Sequence, residues 1–288
     1  MERVVGFIRK RARKVVDRIA RFAGDQGETL RMFDSLGYFP NLLWPRSFSE
    51  KVVRRKLHAP AMWSEFADKV RVRDYVASRI GEGYLNPLHL VTTTPEEIDI
   101  ASLPDRFVVK ANHGSGWNLM VTDKGAITES SIRARCGKWL EKRYGLDTHE
   151  GWYASIRPRI LVERFIEDRT YGVPLDFKIW VFHGIAQFVQ VDFGRFATHT
   201  RTFYDRHWRR QRWGVGFPLG PDVGRPKKLD EMFEVAEQLS SFDPDFVRVD
   251  LYSPDDATVL FGELTFAPGA GWERFTDTKA DYRLGAYW

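Results

Sequence analysis

Two carboxylates stand near the ends of two short hydrophobic segments, Asp250 in FVRVDLY (246–252) and Glu263 in TVLFGEL (258–264). Both segments alternate as strands do, and Ser253-Pro254-Asp255-Asp256 between them reads as a turn. Such a hairpin brings Asp250 and Glu263 near each other on adjacent strands. Facing carboxylates repel unless a cation lies between them, and hard oxygen donors at this spacing suit magnesium carrying a nucleotide's phosphates. Taken alone, the pattern fits a solvated hairpin with two unrelated acids equally well. A second stretch also bears on phosphate chemistry: Phe107-Val108-Val109-Lys110, then Asn112-His113-Gly114-Ser115-Gly116, then Leu119-Met120-Val121. This is strand, glycine-rich loop, strand. No GK[ST] follows and no helix starts there, so it is neither a P-loop nor a dinucleotide fingerprint. A flexible loop between antiparallel strands can still fold over phosphates and offer backbone N–H groups. Lys110 would add a point charge. By itself, HGSG reads more simply as a hairpin turn.

Other elements must hold these groups in place. Ser47-Phe-Ser49-Glu50 starts a helix, with a serine cap before the apolar positions Val52, Val53 and Leu57. Before it, Gly24, Gly27, Gly37, Pro40 and Pro45 make 24–49 look irregular. Residues 64–80 read as one helix ending at Gly81, on which Lys69 and Arg73 share a face. A further helix is expected over 129–144, carrying Cys136 and Trp139, then a buried strand over 160–166. In Asp176-Phe177-Lys178-Ile179-Trp180-Val181-Phe182 the even positions face one way, so Asp176, Lys178 and Trp180 lie together. His183-Gly184 gives a turn and 185–192 returns antiparallel. The stretch 194–208 is dense in polar and aromatic groups, and 229–241 forms a helix before the carboxylate hairpin. The architecture expected is α+β, mainly antiparallel sheet with flanking helices.

At 288 residues the chain suffices for one large domain or two. Its single cysteine excludes an internal disulfide or a cysteine zinc cluster, which fits a reducing cytoplasm. The net charge of +5 is unevenly placed. Eight of the 44 basic residues (Arg3, Arg9, Lys10, Arg11, Arg13, Lys14, Arg18, Arg21) lie in 1–22, against Glu2 and Asp17 among the 39 acids. The remainder therefore has 36 basic and 37 acidic side chains, which does not support a nucleic-acid-binding surface. Val4, Ile8, Val15, Ile19 and Phe22 fall near one face of a helix in that segment. No apolar run reaches the roughly 18 residues of a spanning helix. The pattern suits a helix lying on an anionic inner membrane surface, a solvated helix packed on the body, or a frayed terminus.

Taken in order, these pieces resemble an ATP-grasp fold. FVVKANHGSGWNLMVTD is similar to that superfamily's lysine strand and phosphate loop, ILVERFIEDR to its hinge strand, and RVDLY…FGELTFAPGAG to its arginine, aspartate and glutamate magnesium strands. DKVRVRDYV is similar to the helix that sends a basic side chain to the phosphates. More closely, the chain resembles the TupA-like ATP-grasp family, named for teichuronopeptide biosynthesis. It has PRSFSEKV, the lysine-NHGSG loop, DFKIWVFHG, GELTF-x-PG and the stretch from Arg195 to Trp208 that contains His199, Arg201 and Tyr204. The resemblance covers about residues 45–288. It implies a helical part over 45–105 and an ATP-grasp domain over 106–288, while charge and periodicity give a basic amphipathic helix and linker over 1–44.

The resemblance also implies roles. Lys110 with Lys69 or Arg73 would hold the α/β-phosphates, and the amides of Gly114, Ser115 and Gly116 would close over the β/γ-phosphates. Glu163, Phe165 and Asp176 would line the adenosine pocket, Asp176 reaching the ribose and Lys178 pointing into the same space. Asp250 and Glu263 would bind magnesium. The superfamily usually has asparagine two residues beyond that glutamate, where this chain has Thr265, which puts a second magnesium in doubt. Arg248 would stabilise a tetrahedral intermediate, Arg201 anchor an acceptor carboxylate and His199 relay a proton. His113 reads as a structural loop residue and His183 as a solvated turn residue. The activity implied is an ATP- and magnesium-dependent carboxylate–amine ligase acting through an acylphosphate, in building or decorating a cell-surface polymer. An acidic sugar or amino acid would be the acceptor, and the enzyme would work in the cytoplasm or at the inner face of the membrane. A glycosyltransferase, a sugar kinase and a non-catalytic nucleotide-binding scaffold are the rival readings. The first is disfavoured by the lack of a βαβ repeat and of a DxD motif placed after a strand.

Overall fold

The computed structural model describes residues 26–194 and 199–288, so the expected basic helix over 1–22 lies outside the described residues. Helix α1 (Gln26–Leu36) occupies part of the stretch expected to be irregular. Tertiary contacts overrule the glycine content there. Met32 and Leu36 bury against Leu42 and Val53, and Glu28 pairs with the equally buried Lys56 at 3.0 Å. Gly37, at φ 79°, ends the helix instead of breaking it. Helix α2 (Phe48–Lys56) starts as expected, Ser47 and Glu50 forming a reciprocal capping box.

The single helix expected over 64–80 is two, α3 (Trp63–Ala67) and α4 (Val72–Ile80). Asp68 makes the break. Its backbone is extended, at ψ 110°. Its carboxylate accepts from the Val70 backbone N–H at 2.8 Å and from the Asn112 side chain at 2.9 Å. An aspartate that can bond its own backbone two residues on competes with helix continuation. Lys69 therefore sits in the turn, where its N–H donates to the Asn112 carbonyl, and does not share a helix face with Arg73.

One antiparallel sheet has the order β1 (Leu88–Thr92), β4 (Ile160–Arg164), β2 (Phe107–Ala111), β3 (Asn118–Val121). Helix α5 (Glu129–Glu141) buries Ile132 and Cys136 against its Phe107, Val109 and Val162. A second antiparallel sheet has the order β7 (Thr200–Asp205), β6 (Ile185–Phe193), β5 (Asp176–Phe182), β8 (Phe246–Tyr252), β9 (Leu260–Thr265). Strand β7 lies within the stretch that sequence alone reads only as polar and aromatic. His183 and Gly184, both at positive φ, make the tight turn between β5 and β6. Helix α6 (Leu229–Leu239) packs across β5, β6 and β8, over the odd-numbered residues Ile179, Val181, Val249 and Leu251.

The other face of that sheet changes character along its length. Towards one end Trp180, Phe203 and Phe246 are buried beneath Phe48 of α2, whose ring centroid is 4.8 Å from that of Trp180. Helix α7 (Thr278–Gly285) packs behind α2. Towards the other end the same face carries Asp176, Lys178, Asp192, Arg201, Arg248, Asp250 and Glu263. Burial that is apolar at one end anchors a charged row at the other.

Candidate functional site

A cleft of about 650 Å³ is lined by Val108, Lys110, Asn118, Met120 and Glu163 of the four-stranded sheet and by Asp176, Asp192 and Tyr252 of the five-stranded one. Phe165, Ile166, Tyr171 and residues 173–175 close its side. It adjoins a narrow space of about 70 Å³ where Lys69, Lys110 and the loop 114–118 meet Asp176, Lys178, Asp250 and Glu263. Each cross-strand partner follows from the period of two. Lys178 lies opposite Asp250, and Asp250 opposite Glu263, so three charged groups form one row across β5, β8 and β9.

The row is tightly bonded. Lys178 Nζ donates at 2.6 Å to both Asp176 and Asp250. Arg248 grips Asp250 through two N–H bonds of 2.7 Å, the bidentate geometry that a guanidinium fork favours. It donates as well to Thr265 Oγ1 at 3.0 Å. Lys69 Nζ donates to the Gly114 carbonyl at 2.7 Å and lies 3.6 Å from Glu263, tying the loop to the carboxylate strand. Lys110 Nζ is bonded to Glu163 at 2.6 Å.

Burial alone would raise the Asp250 carboxyl, but Arg248 and then Lys178 outweigh it and hold it below the usual carboxylate range. For Glu263, burial likewise raises and Lys69, with Lys178 and Arg248, more than offsets it. Glu263 remains about one-third accessible from the cleft, 35% against 3% for Asp250. Burial would lower the Lys178 ammonium, and the two aspartates flanking it raise it instead. The row is therefore ionised at neutral pH.

Most residues singled out in the sequence meet here. Gly114, Ser115, Gly116, Lys69, Lys110, Lys178, Asp250 and Glu263 line the narrow end, and Glu163, Phe165 and Asp176 line the wide part. Thr265 stands behind Glu263, 3.5 Å from its Oε1. Arg73 is not among the lining residues. It donates to the Asn86 carbonyl at 3.0 Å, and Asn86 lines the cleft. His113 is buried, bonded to the Asn112 side chain and near the Trp139 and Lys142 carbonyls. His183 sits in its turn against the Pro244 carbonyl.

Arg201 and His199 converge on Asp192, a residue to which sequence reading gave no role. Arg201 Nε is 3.1 Å and His199 Nε2 3.4 Å from its carboxylate. Arg201 also donates to Glu273 at 2.7 Å and to the Val215 carbonyl at 3.0 Å. Its charge is thus already met by two carboxylates. The signal for Asp192 was present: it lies two residues from Gln190 on the cleft-facing side of β6 and directly opposite Asp176. Glu273 follows the Pro268–Gly271 turn and carried no local signal.

The sequence profile of the TupA-like ATP-grasp family matches residues 50–288. The chain belongs to the TupA-like ATP-grasp family. Among solved structures, D-alanine–D-alanine ligase from Bacillus anthracis complexed with ATP is 16% identical, with a TM-score of 0.42 over 71% of this chain and 56% of that one. The ATP-grasp ligase PsnB with its minimal precursor is 12% identical, TM-score 0.41, over 76% and 59%. The N5-carboxyaminoimidazole synthase from Aspergillus clavatus, in complex with ADP and its ribonucleotide, is 10% identical, TM-score 0.41, over 72% and 45%. This TupA-like chain thus spans under two-thirds of the length of each. No curated protein sequence matches it. None of its described helices is long and apolar enough to cross a membrane.

Proposed function

We propose that the chain is an ATP- and magnesium-dependent ligase joining a carboxylate to an amine through an acylphosphate. The observation carrying this reading is the opposition, across one narrow space, of a lysine-flanked glycine loop and the row Lys178, Asp250, Glu263. Neutralising phosphate charge and aligning reactants is most of what phosphoryl transfer asks of a protein.

Lys110 and Lys69 hold the α/β-phosphates and the amides of 114–116 cover the β/γ-phosphates. Asp176 takes the ribose, with Glu163 and Phe165 beside the base and Arg73 acting through Asn86. Magnesium fits the donor chemistry. Asp250 and Glu263 are directly opposed hard donors with the Thr265 hydroxyl beside them. Two protein carboxylates would leave the remaining coordination positions to phosphate oxygens and water, as magnesium prefers. Both Asp250 oxygens already accept from Arg248 or Lys178, so Glu263 is the donor with the freer carboxylate. Bound there, the ion supplies charge neutralisation at the phosphates.

A substrate carboxylate oxygen attacks the γ-phosphorus, the bond to the β–γ bridging oxygen breaks, and ADP leaves. The amine nitrogen then attacks the acyl carbon, inorganic phosphate leaves, and the nitrogen loses a proton. Arg248, bonded to Asp250, supplies positive charge for the developing acyl oxyanion. His199, oriented by Asp192, receives the proton, and Arg201 positions Asp192.

Hydroxylamine trapping tests this reading. With MgATP, amino acids and uronic acids supplied as carboxylates, an acylphosphate yields a hydroxamate together with ADP, and Glu263→Ala yields neither. ADP release with a stable phosphorylated product and no hydroxamate would make the chain a kinase. Nucleotide binding without ADP release for any such carboxylate would make it a scaffold.

A further inference from the structure

On the loop between α1 and α2, three large apolar side chains face solvent: Phe39 (43% exposed), Leu43 (49%) and Trp44 (73%). The loop is pinned from several sides. Leu42 is buried against Met32, Leu36 and Val53. Glu50 accepts from the backbone N–H groups of Asn41 and Arg46 at 2.8 Å each. Asn41 Oδ1 accepts from the Trp44 N–H at 3.0 Å, and Arg54 donates to the Leu42 carbonyl at 3.1 Å. Leu43 and Trp44 are therefore presented by a held turn, where exposed apolar surface of this kind marks an interaction site.

The surroundings are basic. A groove of about 570 Å³ opens beside the loop, lined by Pro45, Lys51, Arg54 and His58, with the half-exposed Met62 on its rim. Two carboxylates line it too: Asp243 is buried against Arg55, and the half-exposed Asp245 lies 3.9 Å from the same guanidinium. Among the described residues, Arg46 and Arg54 have no carboxylate partner, and Lys51 donates to the carbonyls of Gly285 and Trp288. In sequence, the segment 1–22 carries eight basic side chains against two acids and lies outside the described residues.

We infer that the 39–46 loop and the adjoining face of α2 dock onto an anionic lipid bilayer. Leu43, Trp44 and Phe39 enter the headgroup layer, where tryptophan is favoured because its ring is apolar and its N–H polar. Arg46, Lys51 and Arg54 meet lipid phosphates, which adds electrostatic attraction to apolar burial. Trp44 projects from the turn, a shape that suits a soft layer better than a complementary protein face. This inference does not rest on the ligase reading.

The test is co-sedimentation of the full chain with vesicles of phosphatidylcholine alone and of phosphatidylcholine mixed with phosphatidylglycerol. Wild type is expected to sediment with the anionic vesicles only, and Leu43→Ser/Trp44→Ser to bind them at least tenfold more weakly with an unchanged thermal midpoint. In a second variant, Trp44→Cys, an environment-sensitive fluorophore is attached at position 44, Cys136 being buried. A blue shift with anionic vesicles is expected. The inference is overturned if wild type ignores anionic vesicles, or if the double variant sediments as wild type does, which would leave any binding to residues 1–22. It is also overturned if the patch mediates self-association that the double variant abolishes, without vesicle binding by either.

Discussion

Lys178 is the residue on which the charged row depends, and Lys178→Met measures how much. Its ammonium lies 2.6 Å from Asp176 and from Asp250, and all three side chains are at most 5% accessible. Methionine fills similar volume, so the variant removes a charge without opening a large cavity. Asp250 keeps its bidentate bond to Arg248, so Asp176 loses more of its neutralising charge than Asp250 does. Removing one partner of a buried pair costs about 3–5 kcal/mol. For a chain of this size that lowers the thermal midpoint by roughly 6–10 °C. Adding Asp176→Asn removes the charge that Lys178 neutralised and should recover about 2 kcal/mol of the loss, a coupling of the size contacting residues show. Urea and thermal unfolding of the four proteins at neutral pH give the cycle. A loss below about 1 kcal/mol, the value of an exposed pair, would refute the reasoning. So would a double variant no more stable than Lys178→Met alone.

Two further outcomes follow from burial and charge. Asp192 is 3% exposed, and although burial would raise its carboxyl, Lys178, Arg201 and the Gln190 side chain hold it below its ordinary 3.8. A depressed acid stabilises the fold fully above its unfolded value and loses that contribution as pH falls through the folded one. Asp192→Asn should therefore be less stable than wild type at pH 7 by about 3 kcal/mol, and the gap should narrow below about pH 4. Urea midpoints against pH decide it, and a gap independent of pH would contradict the assignment. Cys136 is 1% exposed and burial pushes its thiol up to about 11. At pH 8 its thiolate is about one part in a thousand, so an aromatic disulfide reagent should react at least about a hundredfold more slowly with native than with unfolded chain. Rapid native labelling would show that Cys136 is not sealed between α5 and the four-stranded sheet.

The carboxylate hairpin was legible because strand alternation and a Pro-Asp-Asp turn are local signals, and they set Asp250 opposite Glu263 directly. The lysine strand, the glycine loop and the cap at Ser47 were legible for the same reason. What was not legible is set by distant partners. Helix α1 draws its stability from Lys56 and Val53, not from its own propensity. Asp68 breaks the 64–80 helix because Asn112, 44 residues away, bonds the same carboxylate. Asp192 was legible as the residue facing Asp176, but its tie to Arg201 appears only when β7 pairs with β6. Glu273 reaches Arg201 from a turn 72 residues downstream, which no periodicity encodes.

The central claim is that the row and the loop together bind a magnesium–nucleotide. Calorimetric titration of MgATP into wild type and Glu263→Ala tests it most directly. The account predicts wild-type binding in roughly the micromolar to millimolar range usual for enzyme substrates, weakened at least tenfold in the variant. No heat from wild type at high protein concentration, or equal affinity in both proteins, would contradict it.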